Sequence, residues 1–284
     1  MDVDAIRAMR IDPILQEYGK RETILYALGL GYGADPCDTT ELPFVYEHAL
    51  KIVPSYVNVL CHPGFWAQQP EFGIDWVKIL HAEQEFAMHA PLPPTGKLRG
   101  EYSVRAIEDK GNGRGALLHQ DKTLFDDENG VHVATVRSTL FLRGNGGQGG
   151  FGSPPAAAPP LPDRKPDRSI AISTLPRQAL IYRLSGDWNP LHADPAIAAK
   201  AGFSAPILHG LCTNGIACRA VLSAYCGNDT NRLKGMFTRF TKPVLPGETV
   251  RIDFFEDGDT LRFRAVVEER GETVLDRCWA SIDR

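Results

Sequence analysis

Apolar and polar positions along the chain follow two rhythms. Residues 116–118, 131–142, 250–255, 261–267 and 273–282 alternate or cluster β-branched and aromatic side chains, with Gly-bearing turns between them. This pattern predicts strands of antiparallel sheet. A different rhythm runs from Ile207 to Tyr225, where Ile207, Leu208, Leu211, Ile216, Ala217, Ala220, Val221 and Leu222 leave little room for charge. A helix apolar almost all round belongs inside something, and a curved antiparallel sheet is the natural container. In the first half a shorter candidate helix, 44–52, is stopped by Pro54.

The two halves resemble each other. Arg21, Tyr26 and Leu28 match Arg177, Tyr182 and Leu184 at one offset of 156 residues. Both segments place Ile or Leu on a helical period ahead of the Tyr. Further on, Phe86 with Pro91-Leu92-Pro93 echoes Phe240 with Pro243 and Leu245-Pro246. Both halves then finish in strand-like runs, as expected of a duplicated α+β unit.

Composition adds the boundary. Residues 144–168 gather Gly and Pro, the mark of an exposed linker. The expected organisation is an N-terminal domain 1–143, a linker 144–168 and a C-terminal domain 169–284. The 31 basic and 35 acidic residues give a net charge of −4, which argues against a nucleic-acid partner. No run approaches the ~18 apolar residues of a membrane helix. The acidic start Met1-Asp2-Val3-Asp4 is unlike a signal peptide, so a cytoplasmic protein is expected. Cys37, Cys61, Cys212, Cys218, Cys226 and Cys278 lack zinc-type spacing and read as reduced thiols.

Chemistry concentrates in Tyr182-Arg-Leu-Ser-Gly-Asp187-Trp-Asn189-Pro-Leu-His192. Gly186 and Pro190 break the preceding helix and force an irregular turn that can aim three polar side chains at one point. Asp187 and His192 make a possible acid/base pair, and Asn189 can orient a water. Spacing alone leaves two other readings open. Gly-Asp and Asn-Pro are ordinary turn dipeptides of surface loops. A metal site is the third, although no second His lies nearby in sequence.

This segment resembles the hydratase 2 motif of MaoC-like dehydratases, the (R)-specific enoyl-CoA hydratases. The pattern stands here as Tyr182, Ser185, Gly186, Asp187, Asn189, Pro190, Leu191 and His192. Pro206-Ile-Leu-His209-Gly210-Leu resembles the start of the family's buried helix, and Arg239-Phe240-Thr-Lys-Pro243-Val its R-F-x-x-P-V segment. In the first half 24–31, His81-Ala-Glu-Gln84, Pro91-Leu-Pro93 and Asp109-Lys110-Gly111 resemble the two-domain, eukaryotic-type form.

The resemblance implies a double hot-dog fold: two antiparallel sheets, each wrapped around a helix. It implies reversible hydration of trans-2-enoyl-CoA to (3R)-hydroxyacyl-CoA, with the CoA thioester as substrate and no further cofactor. Asp187 and His192 would activate the water, Asn189 would orient water or substrate, and the Gly210 N–H would bind the enolate oxygen. His81, Ala82, Lys110 and Phe240 map to the CoA contacts, with Ala at position 82 where the family usually has Gly. His209 reads as structural support; His48, His62, His89, His119 and His132 carry no motif.

The offset of 156 puts Gly31 and Pro36 where Asp187 and His192 stand, so one site per chain follows. A lost first-half helix would leave room for a bulky acyl group, such as a sterol side-chain thioester. The aromatics Tyr56, Phe65, Trp66, Phe72 and Trp76 would either line that space or fill a core. A hot-dog thioesterase and a non-catalytic acyl-CoA-binding subunit are the remaining readings. The end Ser281-Ile-Asp-Arg284 is not of the Ser-Lys-Leu type, so a free-standing bacterial enzyme, a homodimer by family habit, is expected.

Overall fold

The computed structural model describes residues 1–258 and 260–283; Arg284 of the C-terminal tetrapeptide lies outside them. In chain order the strands are β1 (Ile14–Tyr18), β2 (Ile79–Met88), β3 (Gly96–Asp109), β4 (Ala116–Asp126), β5 (His132–Leu142), β6 (Arg168–Ser173), β7 (Leu233–Phe240), β8 (Thr249–Asp257), β9 (Thr260–Val267) and β10 (Glu272–Ile282). The helices are α1 (Val3–Ala8), α2 (Lys20–Gly29), α3 (Leu42–Val45), α4 (Gln178–Tyr182), α5 (Pro195–Lys200) and α6 (Gly210–Val221). None is long and apolar enough to cross a membrane.

The double hot-dog arrangement is present, with the two sheets fused into one. The strand order is β1-β3-β4-β5-β2-β7-β10-β9-β8-β6, and among the described residues every pairing of these strands is antiparallel. This order reads the same from either end once β1 is matched with β6, β3 with β8, β4 with β9, β5 with β10 and β2 with β7. The seam is the β2–β7 ladder, where Gln84 faces Thr238. The repeat in the sequence is therefore a pseudo-twofold axis in space. Tyr26 and Tyr182, matched by the offset of 156, touch each other with ring centroids 5.9 Å apart.

The long helix begins later than its apolar pattern predicts. Residues before Gly210 are extended, and the Leu208 N–H donates to the Val244 carbonyl. Helix α6 then buries Cys212 to Cys218 without a break and ends in a π-turn, Leu222–Cys226.

The first half departs from one sheet around one helix. Of the expected helix 44–52 only residues 44 and 45 are helical, as the end of α3. The place of α6 is held instead by a single 3-10 turn, Pro54–Asn58, that begins at Pro54. Lys122 ends this turn: its buried ammonium donates to the carbonyls of Val57 (2.8 Å), Asn58 (3.0 Å) and Leu60 (2.5 Å). Those carbonyls would otherwise be orphans of a truncated helix. Burial pulls this lysine down to about 7, opposed by the nearby Cys61.

Three of the five aromatics between residues 56 and 76 are core residues. Tyr56 stacks on Tyr26 at 4.5 Å in the main core. Trp66 and Phe72 meet edge to face at 5.3 Å in a second core with Ile6, Ile74, Leu118 and Leu142. Of the five aromatics in this stretch, Phe65 and Trp76 alone are exposed.

The Gly/Pro segment is less free than its composition implies. The Asp109 carboxylate accepts from the N–H groups of Gly111 (2.9 Å), Gly147 (2.7 Å) and Gly149 (2.7 Å). Phe151 pairs with Ile107 as an isolated bridge. Further on, the Pro159 carbonyl accepts from Arg262 at 2.6 Å. The segment is thus tied down at both ends, and its tight packing is the reason for its glycines. A Cβ on Gly146 would meet the Gly111 carbonyl oxygen, and one on Gly150 that of Ile107. All six cysteines are free thiols, as expected.

Candidate active site

The loop after α4 is shaped by its own polar side chains. Gly186 takes φ +122°, a conformation L side chains rarely adopt, and lets the chain turn sharply. Asp187 Oδ1 accepts the Asn189 N–H (3.1 Å), and Asn189 Oδ1 accepts the Leu191 N–H (3.0 Å). These two Asx turns leave Asp187 Oδ2 and the Asn189 amide N–H groups available. A short 3-10 turn, Pro190–His192, then delivers His192.

His192 is buried, and its Nδ1 lies 2.8 Å from the Ile207 carbonyl. A carbonyl only accepts, so Nδ1 carries the proton and Nε2 is the free base. Burial holds this imidazole below its usual range, and the Arg183 cation acts in the same direction. The Ile207 carbonyl and the Asp187 carboxylate oppose them.

His209, at the N-cap of α6, packs against both Asp187 and His192. Its ring stacks on His192 with centroids 3.7 Å apart and planes inclined by 25°. Its Nε2 donates to the Asp187 carbonyl at 3.3 Å. Burial and then His192 push it down to about 4, so it stays neutral at physiological pH. Candidate ligand atoms of Asp187, His192 and His209 lie within 4.8 Å of one another. The second histidine that sequence distance hid is thus present. Yet lone pairs lie in the ring planes, and two stacked rings do not converge theirs on one ion.

Gly210 opens α6 immediately beside this pair. The first N–H groups of a helix have no acceptor within it and carry partial positive charge. A Cβ on Gly210 would lie 3.3 Å from the Phe240 ring, so the backbone is approachable only because there is no side chain. Phe240 also contacts His81 from the other half, with ring centroids 5.0 Å apart. His81 Nε2 engages the Gln84 side-chain oxygen (3.0 Å) and the Glu83 carbonyl (3.2 Å). Burial holds His81 at about 4, against those two acceptors and Asp187.

The structure therefore unites Asp187, Asn189, His192 and Gly210 with Phe240 and His81. Ala82 stands at a β-bulge, where the β2–β5 register shifts between His81 and Glu83. A bulge frees backbone groups from the ladder, which suits a ligand contact. Lys110 is set apart. It follows β3, paired with Glu108 at 2.5 Å. The registers His81↔Leu140, Leu118↔Leu140 and Ile107↔Leu118 put its strand three spacings, about 14 Å, from His81.

Sequence reading missed His62 and Arg183. The titration of His62 is depressed by burial and Lys122 and raised by Asp187, which puts a first-half residue within the field of the loop. The remaining histidines lie elsewhere: His89 and His132 share the Thr135 hydroxyl, His119 pairs with Thr139, and His48 lies against Tyr46.

In the first half, the place matching the loop is closed. A Cβ on Gly31 would lie 3.2 Å from the Arg219 guanidinium, which is itself ion-paired at 2.5 Å with the buried Glu41.

Comparison with known proteins agrees with both halves. Residues 157–277 match the MaoC like domain, and residues 16–144 match the MFE-2 hydratase 2 N-terminal domain. The chain is 43% identical over 255 residues to 3-hydroxyacyl-thioester dehydratase Y of Mycobacterium tuberculosis, covering 88% of this chain and 86% of that one. It is 36% identical over 280 residues to enoyl-CoA hydratase ChsH3 of the same organism, covering 97% and 96%. The crystal structure of a MaoC-like dehydratase from Phytophthora capsici superposes with a TM-score of 0.88 at 35% identity, covering 100% of this chain and 99% of that one. Two catalytic-type domains, one keeping its Asp-x-Asn-Pro-x-His loop and one closed by an ion pair, make this chain a member of the two-domain MaoC-like hydratase 2 family.

Proposed function

We propose that this chain is a hydro-lyase that reversibly adds water, in syn fashion, to trans-2-enoyl-CoA, giving (3R)-3-hydroxyacyl-CoA. The observation that carries the reading is the meeting of Asp187, His192 Nε2 and the N-terminus of α6 at one place.

Asp187 and His192 hold the water between them, and the Asn189 amide orients it. As the oxygen bonds to C3, the dyad takes the proton of the water and the double-bond electrons shift onto the thioester oxygen. The Gly210 N–H donates to that developing enolate. Losing one such donor typically costs ~10²–10³ in rate. The dyad then returns a proton to C2, and the electrons fall back from oxygen. Atoms and charge balance with water as the only co-substrate. His81 and Phe240 flank the thioester, the Ala82 bulge offers backbone groups, and Lys110 meets the nucleotide end of CoA.

In this reading water and the CoA thioester are the only reactants and no resident metal or cofactor takes part, which the stacking of the two imidazoles supports as regards a metal ion. Full turnover after dialysis against a chelator is the expected result. The assay is loss of the conjugated thioester from trans-2-decenoyl-CoA with no release of CoA thiol. Thiol release would favour a thioesterase, and binding without turnover a non-catalytic subunit. The enzyme works in the cytosol as a homodimer in this reading; sedimentation at a single-chain mass would remove the dimer.

A further inference from the structure

The catalytic loop is spanned by a contact that the reaction as described does not use. Arg183 follows directly on α4 and starts a 3-10 turn, Arg183–Ser185. Its Nη2 donates to the Trp188 carbonyl at 3.3 Å, and its guanidinium carbon lies 4.8 Å from the centroid of the Trp188 indole. Both ends of the segment 183–188 are thus joined, with Gly186 and Asp187 between them. Trp188 is 59% exposed, an unusual position for an indole. Its place over the guanidinium accounts for that exposure: the ring shields the cation on one face.

We propose that Arg183 is a positioning residue for this reaction, its guanidinium roofed by Trp188 and holding the Asp187–Asn189 loop in working shape. The inference rests on the hydratase reading. Two further observations agree with it. The loop's own bonds run forward from Asp187 through Asn189 to Leu191, whereas the Arg183 contact reaches back across Gly186 and ties the loop to the end of α4. The same guanidinium also acts on the imidazoles. The groups facing His192 are the Asp187 carboxylate, the Ile207 carbonyl, the His209 ring and Arg183. Arg183 is the cation among them, and it favours neutral His192 and neutral His209.

Four variants test this: R183M, R183K, W188A and W188F. R183M is expected to lower kcat for trans-2-decenoyl-CoA by about 10- to 100-fold, the scale of a slightly misplaced group, with KM within about threefold. Its acid limb moves to higher pH, because loss of the cation raises the His192 pKa. R183K keeps the charge, so its limb stays in place while kcat recovers only in part, since an ammonium cannot both stack and reach the carbonyl. W188F resembles the wild type, W188A slows turnover, and R183M/W188A is no slower than R183M alone.

A measurement independent of turnover accompanies these. NMR titration of His192 in the unliganded protein, assigned with H192Q, is expected to show a higher pKa in R183M than in wild type or R183K. Wild-type kcat and an unmoved His192 titration in R183M would overturn the proposal. Wild-type protein that fails to hydrate the thioester, while R183M still moves the His192 titration, would instead strike the hydratase reading.

Discussion

Asn58 and Asn214, 156 residues apart, hydrogen-bond to each other at 2.9 Å in the interior of the molecule. They are the same position of the repeat, seen twice. Asn58 also accepts from Gln84 (3.0 Å), and Asn214 donates to Thr238 (2.9 Å), which faces Gln84 across the seam. The axis of the duplication is thus a closed polar chain, and Gln84 carries it on to His81 at the proposed site.

Breaking this chain on one side is therefore expected to cost more than removing both asparagines. N58L leaves the buried Asn214 Oδ1 and Gln84 Nε2 unpaired, at about 1–3 kcal/mol for each stranded group. N58L/N214L is expected to be more stable than the sum of the single variants predicts, by at least about 1 kcal/mol. Urea denaturation of the four proteins of the cycle measures this coupling. Strict additivity would mean that the two side chains do not depend on each other.

Lys122 stands in for the helix that the first half has lost. K122M keeps the length of the side chain but strands the carbonyls of Val57, Asn58 and Leu60. A destabilisation of about 3 kcal/mol or more is expected, read as a lower urea midpoint at unchanged slope. An unchanged midpoint would show that water or another donor replaces the ammonium without loss.

Gly210→Ala tests the floor of the site. The added methyl would lie 3.3 Å from the Phe240 ring, where the thioester has to approach the backbone. A drop in kcat/KM of at least about tenfold is expected, with the urea midpoint close to wild type because Ala suits a first helical turn. Unimpaired kinetics would remove Gly210 from the proposed oxyanion site.

The neutral histidines make the fold sensitive to acid. His81 and His209 are held at about 4 chiefly by burial, whereas an unfolded chain binds those protons near ~6.5. Their contribution is fully present above about 6.5 and is lost as the pH falls toward 4. Denaturation midpoints are expected to drop between pH 7 and pH 5, and H209F is expected to flatten that drop. An identical drop in H209F would assign the acid sensitivity to other groups.

Much of this was legible in the chain because period and motif are local. The alternation in 131–142 and 250–255, the apolar helix and the loop from Gly186 to His192 all report on neighbours in sequence. Strands β2 and β7 escaped notice because their seam buries the polar Gln84 and Thr238, which interrupts an apolar pattern. The helix began three residues late because Leu208 is as apolar as a helical residue, yet its N–H is claimed by Val244. Lys122 gave no signal, since a buried lysine reads as an exposed one until its three acceptors are in place. The stack of His192 on His209 joins residues 17 positions apart, a separation at which sequence does not report distance.

The central claim is that Asp187 and His192 add water to one face of an enoyl thioester. The configuration of the 3-hydroxyacyl-CoA formed from trans-2-decenoyl-CoA by wild type, D187N and H192Q tests it most directly. The expected result is (3R) product from the wild type and a loss of turnover by at least about 10³-fold in both variants, each still folded. A (3S) product, or (3R) product formed at wild-type rate by D187N, would contradict it.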